Sequence, residues 1–208
     1  MSRHAPVLLP EETPTRVPRR TALAKLVGFA LRLVVALTFL SELTATAAPS
    51  PTEYQVKATF LFHFTHFVEW PARAFAATNA PLTIGLLGTD PFGEALDSAV
   101  AGETVNGHKL VVKRLASTNE LAGCHLLFLG SAEPAFVDSV LDAVKSLPLL
   151  TVSETDRFCQ HGGMIRLYMA DNKVKFDANR NAAVQAGLRM SSKMLNLPSV
   201  KLIESERP

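Results

Sequence analysis

The 208-residue chain has two cysteines, one tryptophan and two tyrosines. Two cysteines allow one internal bridge. Charge is also scarce and evenly matched. Residues 1–47 carry six of the 21 Lys/Arg and three of the 19 Asp/Glu, which leaves 15 basic and 16 acidic residues for the rest, a net of −1. A near-neutral domain without a basic run lacks the electrostatic footprint of a nucleic-acid binder. Several reactive patterns are missing as well. Neither G-x-G-x-x-G nor G-x-x-x-x-G-K-[ST] occurs, and there is no H-E-x-x-H and no G-x-S-x-G around Ser131, Ser153 or Ser192. No nucleophile–base–acid set can be assembled, so no catalytic residue is assigned, and neither is any cofactor or metal. There is no internal repeat and no low-complexity segment.

The uncharged apolar stretch near the N-terminus, Leu33–Leu40, falls far short of the roughly 20 residues that span a bilayer. It fits an export signal instead. Arg19, Arg20, Lys25 and Arg32 precede it, and Ala45-Thr46-Ala47 has the small-x-small pattern of a cleavage site, with the cut before Ala48. Arg19-Arg20 has the dipeptide of a twin-arginine signal without the rest of that pattern. No cysteine follows the cut, which argues against a lipoprotein. Residues 1–47 are therefore read as a signal peptide that delivers the chain to the periplasm.

What the sequence does have is one aromatic segment, Glu53 to Pro71. It holds Phe60, Phe62, Phe64, Phe67, Tyr54 and the lone Trp70. At helical spacing, Tyr54, Ala58, Leu61 and Val68 share one line, and Val56, Phe60, Phe64 and Phe67 the next. That stripe is wider than a surface helix needs. Glu53 suits the positive end of the helix dipole, and Pro71 closes the segment. His63 and His66 share one edge, but with no Cys or carboxylate beside them they read as half-exposed histidines rather than metal ligands.

Four short apolar runs follow: Leu82–Leu87, Lys109–Arg114, His125–Leu129 and Leu149–Val152. Helical patterns at Phe92–Val100 and Ala132–Ser146 separate them, the second with Phe136, Val137, Val140, Leu141 and Val144 on one face, and a short helix is expected near Ser117–Leu121. This alternation predicts an α/β fold with a Rossmann-like, mainly parallel sheet flanked by helices. Ile165–Met169 and Lys173–Phe176, around Ala170-Asp171-Asn172, then predict a C-terminal antiparallel β-hairpin. Short helices are expected at Ala178–Ala186 and Ser191–Leu197, with a tail from Pro198. The domain is placed at 48–200 and a flexible tail at 201–208.

Gly85, Gly88 and Gly93 invite a phosphate-binding reading, but Asp90 would repel phosphate, and a tight turn is the better account. Cys159 near His161 suggests an activated thiol only weakly, because a loop cysteine in an exported protein is more often structural. Cys124 precedes the third strand and Cys159 follows the fourth, at opposite ends of a parallel sheet and roughly 15–20 Å apart, whereas a disulfide needs about 7 Å. A fold-back of the loop 153–162 removes that objection, so a Cys124–Cys159 bridge stays open.

These motifs in this order resemble the YfiR-like family. They are Glu53-Tyr54-Gln-Val-Lys57-Ala58, Phe67-Val-Glu-Trp-Pro71, Leu82-Thr-Ile-Gly85, Gly88-x-Asp90-Pro-Phe-Gly93, Val105-Asn-Gly107, Cys124–Leu129, Leu150–Ser153, Gly162–Ile165 and Lys175-Phe-Asp-x-Asn179. The resemblance covers nearly all of residues 53–197. It implies a non-catalytic periplasmic regulator that represses an inner-membrane diguanylate cyclase through that enzyme's periplasmic part, and so lowers cyclic di-GMP and biofilm formation. An OmpA-like outer-membrane lipoprotein is the implied second partner. It further implies cysteines at the positions of Gly85 and Ile165, paired with those of Cys124 and Cys159. This chain keeps one half of each pair. On this reading Phe60, Phe64, Phe67, Trp70 and Met164 are candidate partner contacts. The alternative is a periplasmic small-ligand sensor, with a pocket at the strand ends formed by Gly88, Thr89, Asp90, Gly130, Ser131, Ser153 and Glu154. The oligomer is open between monomer and homodimer.

Overall fold

A computed structural model describes residues 51–130 and 133–205. The signal-peptide reading of 1–47 and the pocket candidate Ser131 lie outside the described residues. Helix α1 (Glu53–Phe67) opens the domain. Thr52 caps it: the Thr52 hydroxyl accepts from the Gln55 amide at 3.3 Å, and the Thr52 amide donates to Gln55 Oε1 at 2.7 Å, a reciprocal box that satisfies two otherwise free amides. The helix stops three residues short of the Trp70 end expected from Pro71. Val68 and Glu69 form strand β1 instead, antiparallel to β9 (Arg189–Met190). Val68 is buried in this extended form, which suits a β-branched residue.

The chain continues through β2 (Leu82–Gly88), α2 (Glu94–Val100), β3 (Thr104–Val105), β4 (His108–Leu115), β5 (Leu126–Gly130), α3 (Pro134–Val144), β6 (Leu150–Ser153), β7 (Ile165–Ala170) and β8 (Lys173–Ala178). It ends with α4 (Arg180–Gln185), β9, α5 (Ser192–Leu195) and β10 (Val200–Leu202). The helix expected near Ser117–Leu121 is a 3-10 turn, Thr118–Glu120.

The main sheet among the described residues runs β10-β8-β7-β6-β5-β2-β4-β3. The strands β4-β2-β5-β6-β7 are mutually parallel, and β7 and β8 form the expected antiparallel hairpin. Counted in chain order, the parallel strands read 2-1-3-4-5, the doubly wound order that reverses between its first and third strands. Here that reversal falls between β2 and β5. Successive side chains of β5 face opposite sides, as the pleat requires. Leu126 and Phe128 join Leu61, Phe64, Leu96 and Val152, while Leu127 and Leu129 join Val137, Val140, Val144 and Phe158. The sheet is thus covered by α1 and α2 on one face and by α3 on the other.

Two further expectations are corrected. Phe136 is 37% exposed and does not share the buried face of α3. Val200–Leu202, read as tail, adds a parallel strand beside β8, and Ser205 accepts from Asn179 Nδ2 at 2.7 Å. A three-residue edge strand with one side unpaired leaves too short a pattern to see.

Candidate functional site at the carboxyl edge of the sheet

Strands β2 and β5 end together, Gly88 opposite Gly130. The Thr89 amide donates to the Gly130 carbonyl at 2.7 Å, and a Cβ on Gly130 would run into the Thr89 carbonyl. Gly88 has φ +91°, and a Cβ there would meet Gly130 O at 2.7 Å. Both glycines are therefore set by close backbone approach. Beside this crossing opens a crevice of about 300 Å³ lined by Tyr54, Thr89, Pro91, Phe128, Glu154 and Thr155, among others.

Of the pocket candidates, Thr89, Gly130 and Glu154 line the crevice, while Gly88 does not and packs against Gly130 instead. Asp90 and Ser153 serve the fold instead. Asp90 Oδ1 accepts from the Phe92 and Gly93 amides at 2.8 and 3.2 Å, and Oδ2 from Arg114 Nε at 3.0 Å. Ser153 is fully buried, and its hydroxyl donates to Leu129 O at 2.8 Å. Arg114 also binds Asp97, which holds the Asp97 carboxyl below its usual range.

Tyr54 and Lys57 belong to this edge too, and the pocket reading had missed both. Lys57 is 3% exposed and ion-paired to Glu53 and Glu154. Burial pushes its pKa down, but the hydrogen bonds to Glu154 and Glu53 outweigh that and leave it raised. The Tyr54 hydroxyl approaches Glu154 Oε2 at 3.4 Å, and burial followed by the Glu154 charge raises its pKa. The Glu53-x-x-x-Lys57 spacing was the available signal, since i and i+4 face each other on a helix.

The partner-contact candidates divide. Phe60, Phe64 and Phe67 line a second opening of about 310 Å³ with His63, Phe176, Met194 and Leu197. Phe64 is only 1% exposed and forms its floor, packed edge-on to Phe176 at 5.1 Å between ring centres. Met164 is 3% exposed and belongs to the core. It is corrected as a surface contact, because the β6–β7 connection turns it inward, with its amide on Thr151 Oγ1 at 3.1 Å. Trp70 is half-buried and donates from Nε1 to His125 O at 2.9 Å.

Cys124 and Cys159 are both buried and unbonded. Burial raises the pKa of the Cys124 thiol and pushes that of Cys159 up to about 12, so neither is an activated thiolate at neutral pH. His161 contacts Asp138 at 3.0 Å rather than serving Cys159. His63 and His66 are exposed, and no cluster of three or more metal-ligating side chains occurs among the described residues.

The described residues thus form a doubly wound sheet with a small cleft at its reversal point and an apolar groove along its first helix. A family model described as YfiR/HmsC-like matches residues 54–198, and the chain belongs to that family. The family is one of non-catalytic periplasmic regulators of diguanylate cyclase signalling. Among the described residues no helix is long and apolar enough to cross a membrane.

Proposed function

We propose that this protein represses an inner-membrane diguanylate cyclase by docking on the cyclase's periplasmic part, with an OmpA-like outer-membrane lipoprotein as the competitor that withdraws it. Export by residues 1–47, with cleavage before Ala48, places it in the compartment where both partners are reached. The observation that carries the reading is the apolar groove beside α1. Phe60, Phe67 and Leu197 stand at its walls with the buried Phe64 and Phe176 between them. Half-exposed aromatics over a packed floor are the composition of an interface centre.

The test is a strain lacking the gene, complemented with wild type or with Leu197→Asp. Leu197 is 41% exposed, so the substitution charges the groove without entering the core. Repression predicts raised cyclic di-GMP and surface attachment in the deletion, reversed by wild type and not by the variant. Unchanged cyclic di-GMP after deletion overturns the proposal.

A further inference from the structure

We propose that the crevice between β2 and β5 is a binding site for a small organic cation, a primary ammonium carried on an apolar or aromatic body. It lies where the parallel strands reverse order, the place at which open α/β sheets leave a gap at their carboxyl ends. Its volume of about 300 Å³ suits a molecule of roughly amino-acid size.

The charges decide the class. Among the described lining residues Glu154 alone is charged. Lys57, the cation paired with Glu154, is buried and divided between Glu53 and Glu154, so that group is left one negative charge in excess. Arg114 at the end of β4 is held by Asp90, Asp97 and the Gly93 carbonyl, again with one carboxylate in excess. A phosphate or carboxylate ligand would meet the Glu154 carboxylate with no cation among the described lining residues. An ammonium meets the opposite situation. Glu154 gives one oxygen to Lys57, while Oε2 has only the long 3.4 Å contact with the Tyr54 hydroxyl. It keeps lone pairs for a further N–H donor. The Tyr54 ring already lies 5.1 Å from one ammonium, that of Lys57, and an aromatic face attracts a second by the same quadrupole. Phe128, Pro91 and Leu129 supply the apolar floor for the body of the ligand.

The experiment titrates the purified periplasmic protein with phenethylammonium and, separately, with 3-phenylpropionate, which reverses the charge on the same skeleton. Calorimetry gives the affinities, and amide shifts at Thr89, Gly130 and Thr155 locate the site. The expected result is at least tenfold tighter binding of the ammonium, lost tenfold or more in Glu154→Gln. Where that variant fails to fold, Tyr54→Leu, which keeps the Lys57 ion pairs, is expected to weaken the ammonium several-fold. Equal or tighter binding of the carboxylate, an ammonium affinity unmoved by whichever variant folds, or no saturable binding at millimolar ammonium overturns the proposal. Repression through the groove is read separately, from cyclic di-GMP, and does not depend on these outcomes.

Discussion

A lysine ammonium removed from water costs several kcal/mol unless it is matched, and Lys57 is matched twice. The two carboxylates differ from it in being partly exposed, so the three groups respond unequally to removal. Lys57→Met leaves carboxylates that rehydrate and an apolar stem of similar volume, and is expected to cost less than about 1.5 kcal/mol. Glu53→Gln with Glu154→Gln leaves a buried cation unpaired and is expected to cost about 3 kcal/mol, the lower end of the range, because the long stem can carry its charge toward water. Urea denaturation of the two variants checks the order; a costlier lysine substitution refutes it. His125 is the second residue with a consequence. It is 2% exposed, and its Nδ1 accepts from the Thr83 amide at 3.1 Å. Burial lowers its pKa below the ordinary 6.5. The unfolded chain therefore takes up this proton first as pH falls. Stability from this group is complete above about pH 6.5, declines below it toward the folded pKa by at most about 1.4 kcal/mol per pH unit, and is level beyond. Unfolding measured from pH 7 downward should show the decline in wild type and lose that part of it in His125→Gln.

Elements were legible in the sequence to the extent that their burial repeats at a fixed period. β5 is buried on both faces and shows as an unbroken apolar run, β2 and β6 show as apolar runs interrupted by Thr83 and Thr151, and the hairpin strands alternate. The end of α1 was not legible, because Val68 and Glu69 continue the helical pattern and only their pairing with Arg189 and Met190, over a hundred residues later, draws them into a strand. The groove was half legible for the same reason: Phe60, Phe64 and Phe67 are local, while Phe176, Met194 and Leu197 arrive through the fold. Gly85 carries a prediction at this level. A Cβ on it would stand 3.1 Å from Cys124 Sγ and 3.0 Å from Leu115 Cδ1. A sulfur on that Cβ reaches Cys124 at a normal S–S length of about 2.05 Å, with the Leu115 methyl giving way. Gly85→Cys is therefore expected to form a bridge to Cys124 under oxidising conditions and to add about 3–4 kcal/mol, less any strain. Thiol titration of the denatured protein should find one free cysteine, Cys159. Three would show the strands to be farther apart than described here, and would remove the physical basis for pairing these positions in the family.

Across the whole molecule, α1 joins two openings of opposite chemistry. Tyr54 on its first turn walls the anionic crevice, and Phe60, Phe64 and Phe67 wall the apolar groove. At 1.5 Å per residue, Tyr54 lies about 9 Å along the helix from Phe60, the groove's nearest α1 residue, and about 20 Å from Phe67. Substitutions farther apart than about 7–10 Å with no shared partner act independently, so the two sites should be separable by mutation. Leu197→Asp should abolish repression and leave the phenethylammonium affinity unchanged within twofold. Tyr54→Leu should weaken the ammonium and leave repression intact when no ammonium ligand is present. Measuring both readouts on both variants decides between two independent sites and one. If either substitution moves both, α1 transmits between its ends, and the crevice becomes a regulatory input to the docking groove rather than a separate site.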